Sequence, residues 1–162
     1  MTYFNEYKNK NGEIEKENIK KIIPYGDEFL LIDKVLILEE NRIIAEKKVH
    51  KNDPVFKAHF IDFPIYPGAL IIEGLGQSAT LLVRSKIENH DSKDILAYLI
   101  STAKFRKPVF PNDTLKFEVI YKRGDTSRVQ CQTRAIVKDH IVAECDMTLA
   151  IVDKEEFRGK YG

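Results

Sequence analysis

The run His59-Phe60-Ile61-Asp62-Phe63-Pro64-Ile65-Tyr66-Pro67-Gly68-Ala69-Leu70-Ile71-Ile72-Glu73 decides how this chain is read. It sets a histidine and a carboxylate on either side of a Pro-Gly corner, and the corner opens an apolar helix. The free N–H groups of a helix start point outward, where they can bind a negative or polarised oxygen. A histidine takes up a proton near neutral pH, and a carboxyl group among apolar neighbours can be held ready to give one. The segment therefore reads as an acid–base site.

Downstream, from Ala69 to about Ser85, apolar side chains (Leu70, Ile71, Ile72, Leu75, Ala79, Leu81, Leu82, Val83) fall on nearly every side of the expected helix. A helix that is apolar all round is a buried one. Glu73 and Gln77 are its only polar side chains besides Ser78 and Thr80 before Arg84, and their spacing of four puts them on one face. Gly74 and Gly76 each cost about 1 kcal/mol of helix propensity relative to alanine. Their presence predicts a close approach to the backbone by a substrate chain or a partner helix.

The flanking segments read as strands. Phe29–Leu38 and Arg42–Val49 form a hairpin through Glu39-Glu40-Asn41, and Ile95–Phe105, Thr114–Lys122, Ser127–Val137 and Ile141–Val152 follow the helix. In the last of these, Ile141, Ala143, Cys145, Met147, Leu149 and Ile151 alternate with Val142, Glu144, Asp146 and Thr148, the period of a sheet with one buried face. The expectation is an α+β fold in which an antiparallel sheet wraps one long helix. Burial of that helix all round asks for a curled sheet or a second subunit over its far side.

Ile14, Ile19, Ile22 and Ile23 predict a short amphipathic helix ahead of the hairpin. The polar ends, residues 1–13 and 153–162, are expected to be frayed or loosely docked around a single domain at 14–152. With 26 basic and 25 acidic residues the chain carries a net charge of +1, which offers no global field for nucleic acid. No apolar run approaches the roughly 20 residues needed to cross a bilayer, and the polar amino terminus lacks the apolar centre of a secretory signal. A cytoplasmic protein with no membrane insertion is expected. Cys131 and Cys145 sit in strand segments without metal-ligand spacing and read as buried thiols, while His50, His90 and His140 read as solvated. With no nucleophile elbow, phosphate loop or metal-ligand cluster, the chemistry is expected to need no cofactor and no metal.

These residues resemble the hotdog-fold (3R)-hydroxyacyl-acyl carrier protein dehydratases of the FabZ type. The resemblance rests on Ile23-Pro24 through Phe29-Leu30-Leu31-Ile32-Asp33-Lys34-Val35, on His59 through Gln77, and on Phe105-Arg106-Lys107-Pro108-Val109 through Pro111-Asn112-Asp113, and it spans about residues 17–152. It implies a curved sheet around a central helix, a homodimer, and an active site shared between subunits, with a trimer of dimers left open. His59 then corresponds to the catalytic histidine and Glu73 to the catalytic carboxyl group of the other subunit. Gly68 corresponds to the backbone donor to the thioester carbonyl, and Gln77 to a polar support of the carboxyl group. Pro67, Tyr66 and Phe63 join them as substrate-binding positions.

The partner implied is acyl carrier protein bearing a pantetheine-linked acyl chain. Carrier proteins are acidic, so Lys104, Arg106 and Lys107 are the candidate docking residues. The chain departs from the family pattern at Ile61, where a proline is usual, at Tyr66, and at Tyr25-Gly26-Asp27-Glu28. Two other readings of the same residues are acyl thioester hydrolysis and a non-catalytic dimer that only binds the carrier protein.

Overall fold

The structure, a computed structural model, describes residues 2–162. Seven strands form one antiparallel sheet: β1 (Ile14–Glu15), β2 (Lys34–Leu38), β3 (Arg42–Lys48), β4 (Lys93–Phe105), β5 (Thr114–Gly124), β6 (Arg128–Val137) and β7 (His140–Asp153). Their order across the sheet is β1-β2-β3-β5-β6-β7-β4. Helix α1 (Lys16–Ile22) leads in, the long α2 (Gly68–Arg84) packs against β3, β4, β5, β6 and β7, and α3 (Lys154–Tyr161) closes the chain.

Alternation decides which face of each strand meets α2. Along β6, Val129, Cys131, Thr133, Ala135 and Val137 are buried while Arg128, Gln130, Gln132 and Arg134 are exposed. Thr133 is polar on the inward face, and its hydroxyl donates to the Cys145 carbonyl at 2.8 Å, so no donor is stranded. On β7, Ala143, Cys145, Met147 and Leu149 point inward as their spacing predicts. The close approach predicted at Gly74 is made by the sheet: a Cβ there would run into the Phe117 ring of β5. Gly76 has nothing within 4 Å of where a Cβ would sit, so its side of α2 is open.

Several expectations are corrected. Ile14 belongs to β1, paired with Val35, and only Lys16–Ile22 is helical. Residues 29–33 do not extend β2, because Phe29 and Leu30 turn back on the Gly26 carbonyl and the Gln77 side chain takes the backbone groups of Phe29 and Leu31. The polar ends are docked. Phe4 is fully buried with its ring edge-on to His90, and the Tyr3 N–H donates to the Ser85 carbonyl. Asp153 caps α3 through the Glu156 N–H at 3.1 Å, and Arg158 holds Asp94 of β4 through two bonds of 2.9 and 3.1 Å. His90 is 8% exposed rather than solvated, and it sits beside Arg84.

Strand β4 is the long edge of the sheet, the two-residue β1 being the other. It is hydrogen-bonded to β7 along one edge only, and Leu96, Tyr98, Leu99 and Ile100 are 37–58% exposed. A long apolar edge strand of this kind is a template for pairing with another chain. No helix among the described residues is long and apolar enough to cross a membrane.

Candidate active site

His59 follows a single 3-10 turn, Pro54–Lys57, capped by the Asp53 side chain. The loop after it is closed by its own backbone: the Ile65 N–H donates to the His59 carbonyl at 3.0 Å, and Phe60 and Phe63 bond each other in both directions. His59 Nδ1 lies 2.9 Å from the Ile65 carbonyl oxygen. A carbonyl oxygen can only accept, so Nδ1 carries a proton, and in the neutral ring Nε2 then holds the lone pair. The loop thus selects the tautomer that a general base requires.

The chain then enters α2 through Pro67, whose φ of −61° suits the residue before a helix. Leu70 and Ile71 N–H groups donate to the Pro67 carbonyl, whereas the Gly68 N–H has no partner among the described residues. His59, Ile65, Tyr66, Gly68, Ala69 and Phe105 line one open cleft of about 620 Å³, together with Ile71 and the segment from Arg106 to Val109. A free imidazole nitrogen and a free helix-start N–H therefore share one apolar recess. The first can remove a proton, and the second can stabilise an oxygen on which charge develops.

Glu73 is half-buried in the second turn of α2 and does not line that cleft, and no contact joins it to His59 within the protomer among the described residues. From Gly68 to Glu73 the helix rises by roughly 7.5 Å. Gln77, fully buried, orients the carboxylate. Its amide nitrogen donates to Glu73 Oε1 at 3.0 Å and to the Phe29 carbonyl at 2.8 Å, while its oxygen accepts the Leu31 N–H at 2.9 Å. Both ends of one amide are thereby fixed. Burial and the charge of Glu73 push the Tyr25 phenol above its ordinary value.

The other predicted positions scatter. Tyr66 lines the cleft, but it is 3% exposed and its ring packs on Phe56 with Lys47 over its face. Its hydroxyl is buried without a partner among the described residues, and burial with Asp53 and Asp33 nearby raises the phenol. Phe63 stands exposed on the loop, edge-on to Phe110. Arg106 and Lys107 border the cleft, with Arg106 engaged by Glu144 at 2.7 Å, while Lys104 opens onto a different recess on the sheet, beside Glu118 and Arg134. Phe105 was missed as a site residue, although its place before Arg106-Lys107-Pro108 carried a signal.

Comparison with known proteins places this arrangement. Residues 23–146 match the FabA-like domain. The chain belongs to the FabA-like family. Within that family it is similar to the 3-hydroxyacyl-[acyl-carrier-protein] dehydratase FabZ of Solibacter usitatus, 37% identical over 143 residues covering 88% of each chain. Against the FabZ of a Nitratiruptor species it is 42% identical over 144 residues, covering 84% of this chain and 96% of the relative. Among solved structures, the FabA-like chain is similar to the dehydratase heterocomplex ApeI:P from Xenorhabdus doucetiae, with TM-score 0.75, 12% identity and coverage of 88% and 95%. It is also similar to a thioesterase from Haemophilus influenzae, with TM-score 0.65, 14% identity and coverage of 85% and 90%. At such identities these two share the fold alone, and one fold carries both a dehydratase and a thioesterase. The hotdog architecture is therefore established, while the reaction must be argued from the site.

Proposed function

We propose that this FabA-like chain dehydrates (3R)-3-hydroxyacyl thioesters of acyl carrier protein to trans-2-enoyl thioesters, working in the cytoplasm as a homodimer. The observation that carries the reading is the pairing of a free His59 Nε2 with a free Gly68 N–H in one apolar cleft. The substrate class follows the FabZ relatives, which are similar over most of both chains.

In this reading His59 Nε2 takes the C2 proton while the Gly68 N–H holds the C1 oxygen as negative charge develops there. Glu73 of the other subunit, held by Gln77, protonates or steers the departing 3-hydroxyl. The hydroxyl leaves as water, and the double bond forms between C2 and C3. The exposed edge of β4 and the open side of α2 at Gly76 support a second copy as the source of that carboxyl group. Pro67, Tyr66 and Phe63 shape the acyl path, and Lys107 with Arg106 receives the acidic carrier.

Incubation with a 3-hydroxyacyl carrier substrate tests the reaction, because dehydration creates a conjugated enoyl chromophore whereas hydrolysis frees a thiol. Release of thiol without the chromophore would establish the thioesterase reading instead. Mixing inactive His59→Ala and Glu73→Gln chains is expected to restore part of the activity, since a heterodimer regains one complete site. Verified heterodimers with no recovery would show that the site is not shared.

A further inference from the structure

The first residue of α2 is glycine for a reason other than its backbone angles. A Cβ on Gly68 would lie 2.5 Å from Phe105 Cε1 and 2.8 Å from Cδ1, closer than real side-chain carbons approach. The Phe105 ring therefore rests directly against the Gly68 Cα. That ring is itself anchored. Phe105 ends β4 in register with Ala143, and the next two N–H groups, of Arg106 and Lys107, both donate to the Val142 carbonyl at 2.7 and 3.2 Å. Yet the side chain is 59% exposed and lines the same cleft as His59. An exposed aromatic ring gains little by burial in the protomer, so its contact with a helix start that has a free N–H asks for another explanation.

We infer that Phe105 is a positioning residue: its ring seats the first turn of α2 and shields the Gly68 N–H from water, so that this donor meets the thioester oxygen in a fixed direction. The role rests on the dehydratase reading of the cleft. A backbone donor stabilises developing charge only if it is already aimed and dry, because a donor that must reorient or shed water loses much of the benefit. Two elements far apart in sequence thus build one donor: α2 supplies the N–H and the end of β4 supplies the wall.

The test uses the full chain and four variants: Phe105→Ala, Phe105→Tyr, Gly68→Ala and the double variant Gly68→Ala/Phe105→Ala. Losing one preorganised donor costs about 10²- to 10³-fold in kcat. Gly68→Ala is expected to lose activity on this scale. Phe105→Ala is expected to lower kcat about tenfold or more, with KM changed less than about threefold and the pH profile unmoved, because His59 and Glu73 are untouched. Phe105→Tyr keeps the ring and is expected to retain at least half of the wild-type kcat. The double variant relieves the clash and is expected to be no slower than Gly68→Ala alone. Melting temperature reports folding for every variant. The amide resonance of Gly68 gives a readout apart from turnover, since loss of the ring should shift it.

An active wild type with Phe105→Ala equally fast would overturn the positioning role and leave the dehydratase reading standing. Losses that multiply in the double variant would likewise overturn it, showing that the two residues act independently. A wild type with no dehydration turnover would overturn the reading itself, and the role with it.

Discussion

The two ends of α2 are built in opposite ways. At its C-terminal end Arg84, 2% exposed, donates from Nη1 to the His90 carbonyl and from Nη2 to the Lys93 carbonyl, each at 2.8 Å, and Ser85 bonds the Leu82 carbonyl. The amino-terminal strap adds Tyr3 and Phe4 over the same end. At the N-terminal end the Gly68 N–H has no partner among the described residues, Glu73 has one amide partner, and the wall of the cleft is an exposed phenylalanine. One end is largely finished, with Arg84 Nε left buried and without a partner among the described residues, and the other is unfinished. A single helix can thus be held by one end while the other keeps the unmet hydrogen-bonding capacity that chemistry needs.

The contrast is broken most directly by Glu73→Gln at the unfinished end. A 10²- to 10⁴-fold loss of kcat is expected, the range for a lost proton-transfer group, with the melting temperature within a few degrees of wild type. A large fall in stability instead would assign Glu73 a structural role. At the finished end Arg84→Met should do the reverse. It strands the buried His90 carbonyl and the part-buried Lys93 carbonyl and is expected to cost about 3 kcal/mol, with kcat per folded molecule retained, as read by urea unfolding and active-site titration. Between the ends, Gly74→Ala drives a methyl group into Phe117 and is expected to destabilise by roughly 1–3 kcal/mol. Gly76→Ala, on the open side, should stabilise the isolated protomer by up to about 1 kcal/mol. If Gly76→Ala weakens self-association in sedimentation, the open side is where a second copy lies.

The smallest effect concerns pH. Burial lowers the His90 pKa from its ordinary 6.5, with Arg84 opposing its charge and Asp91 and Glu6 favouring it; Lys154 also opposes it. The folded state thus binds a proton less readily than the unfolded chain. The sign follows: stability is unaffected by His90 above pH 6.5 and falls as pH drops from there toward the lowered value. Unfolding free energy should decline below pH 6.5 with a slope of at most about 1.4 kcal/mol per pH unit, and His90→Asn should flatten it. An unchanged slope in that variant would place the acid sensitivity elsewhere.

Much of this was legible in residue order because it is local. Alternation in residues 141–151 gives the buried face of β7, and the apolar run after Pro67-Gly68 gives α2 to within a residue at either end. The site's local half was equally plain, since His59, Gly68, Glu73 and Gln77 lie within nineteen residues. What escaped was made by distant pairings. Residues 29–33 look like strand, but Gln77 captures their backbone from 46 and 48 positions away. The carboxy-terminal end looks frayed because α3 is mostly polar, and its docking rests on the Asp153 cap and the Asp94–Arg158 pair, which bring together residues 64 positions apart. Phe105 gains its meaning only when β4 brings it against Gly68.

The one-sided pairing of β4 also bears on how the chain comes to be folded at all. Along this thirteen-residue strand, paired on its other side with β7, alternate residues turn N–H and C=O groups outward beside Leu96, Tyr98, Leu99 and Ile100. An unclaimed edge will accept any strand of suitable pattern. A newly made or refolding protomer therefore faces a race between a correct mate and a misfit one. Its yield is then governed by encounter frequency as well as by its own stability, and refolding in dilute solution with slow addition of chain becomes a sensitive gauge of which encounter comes first.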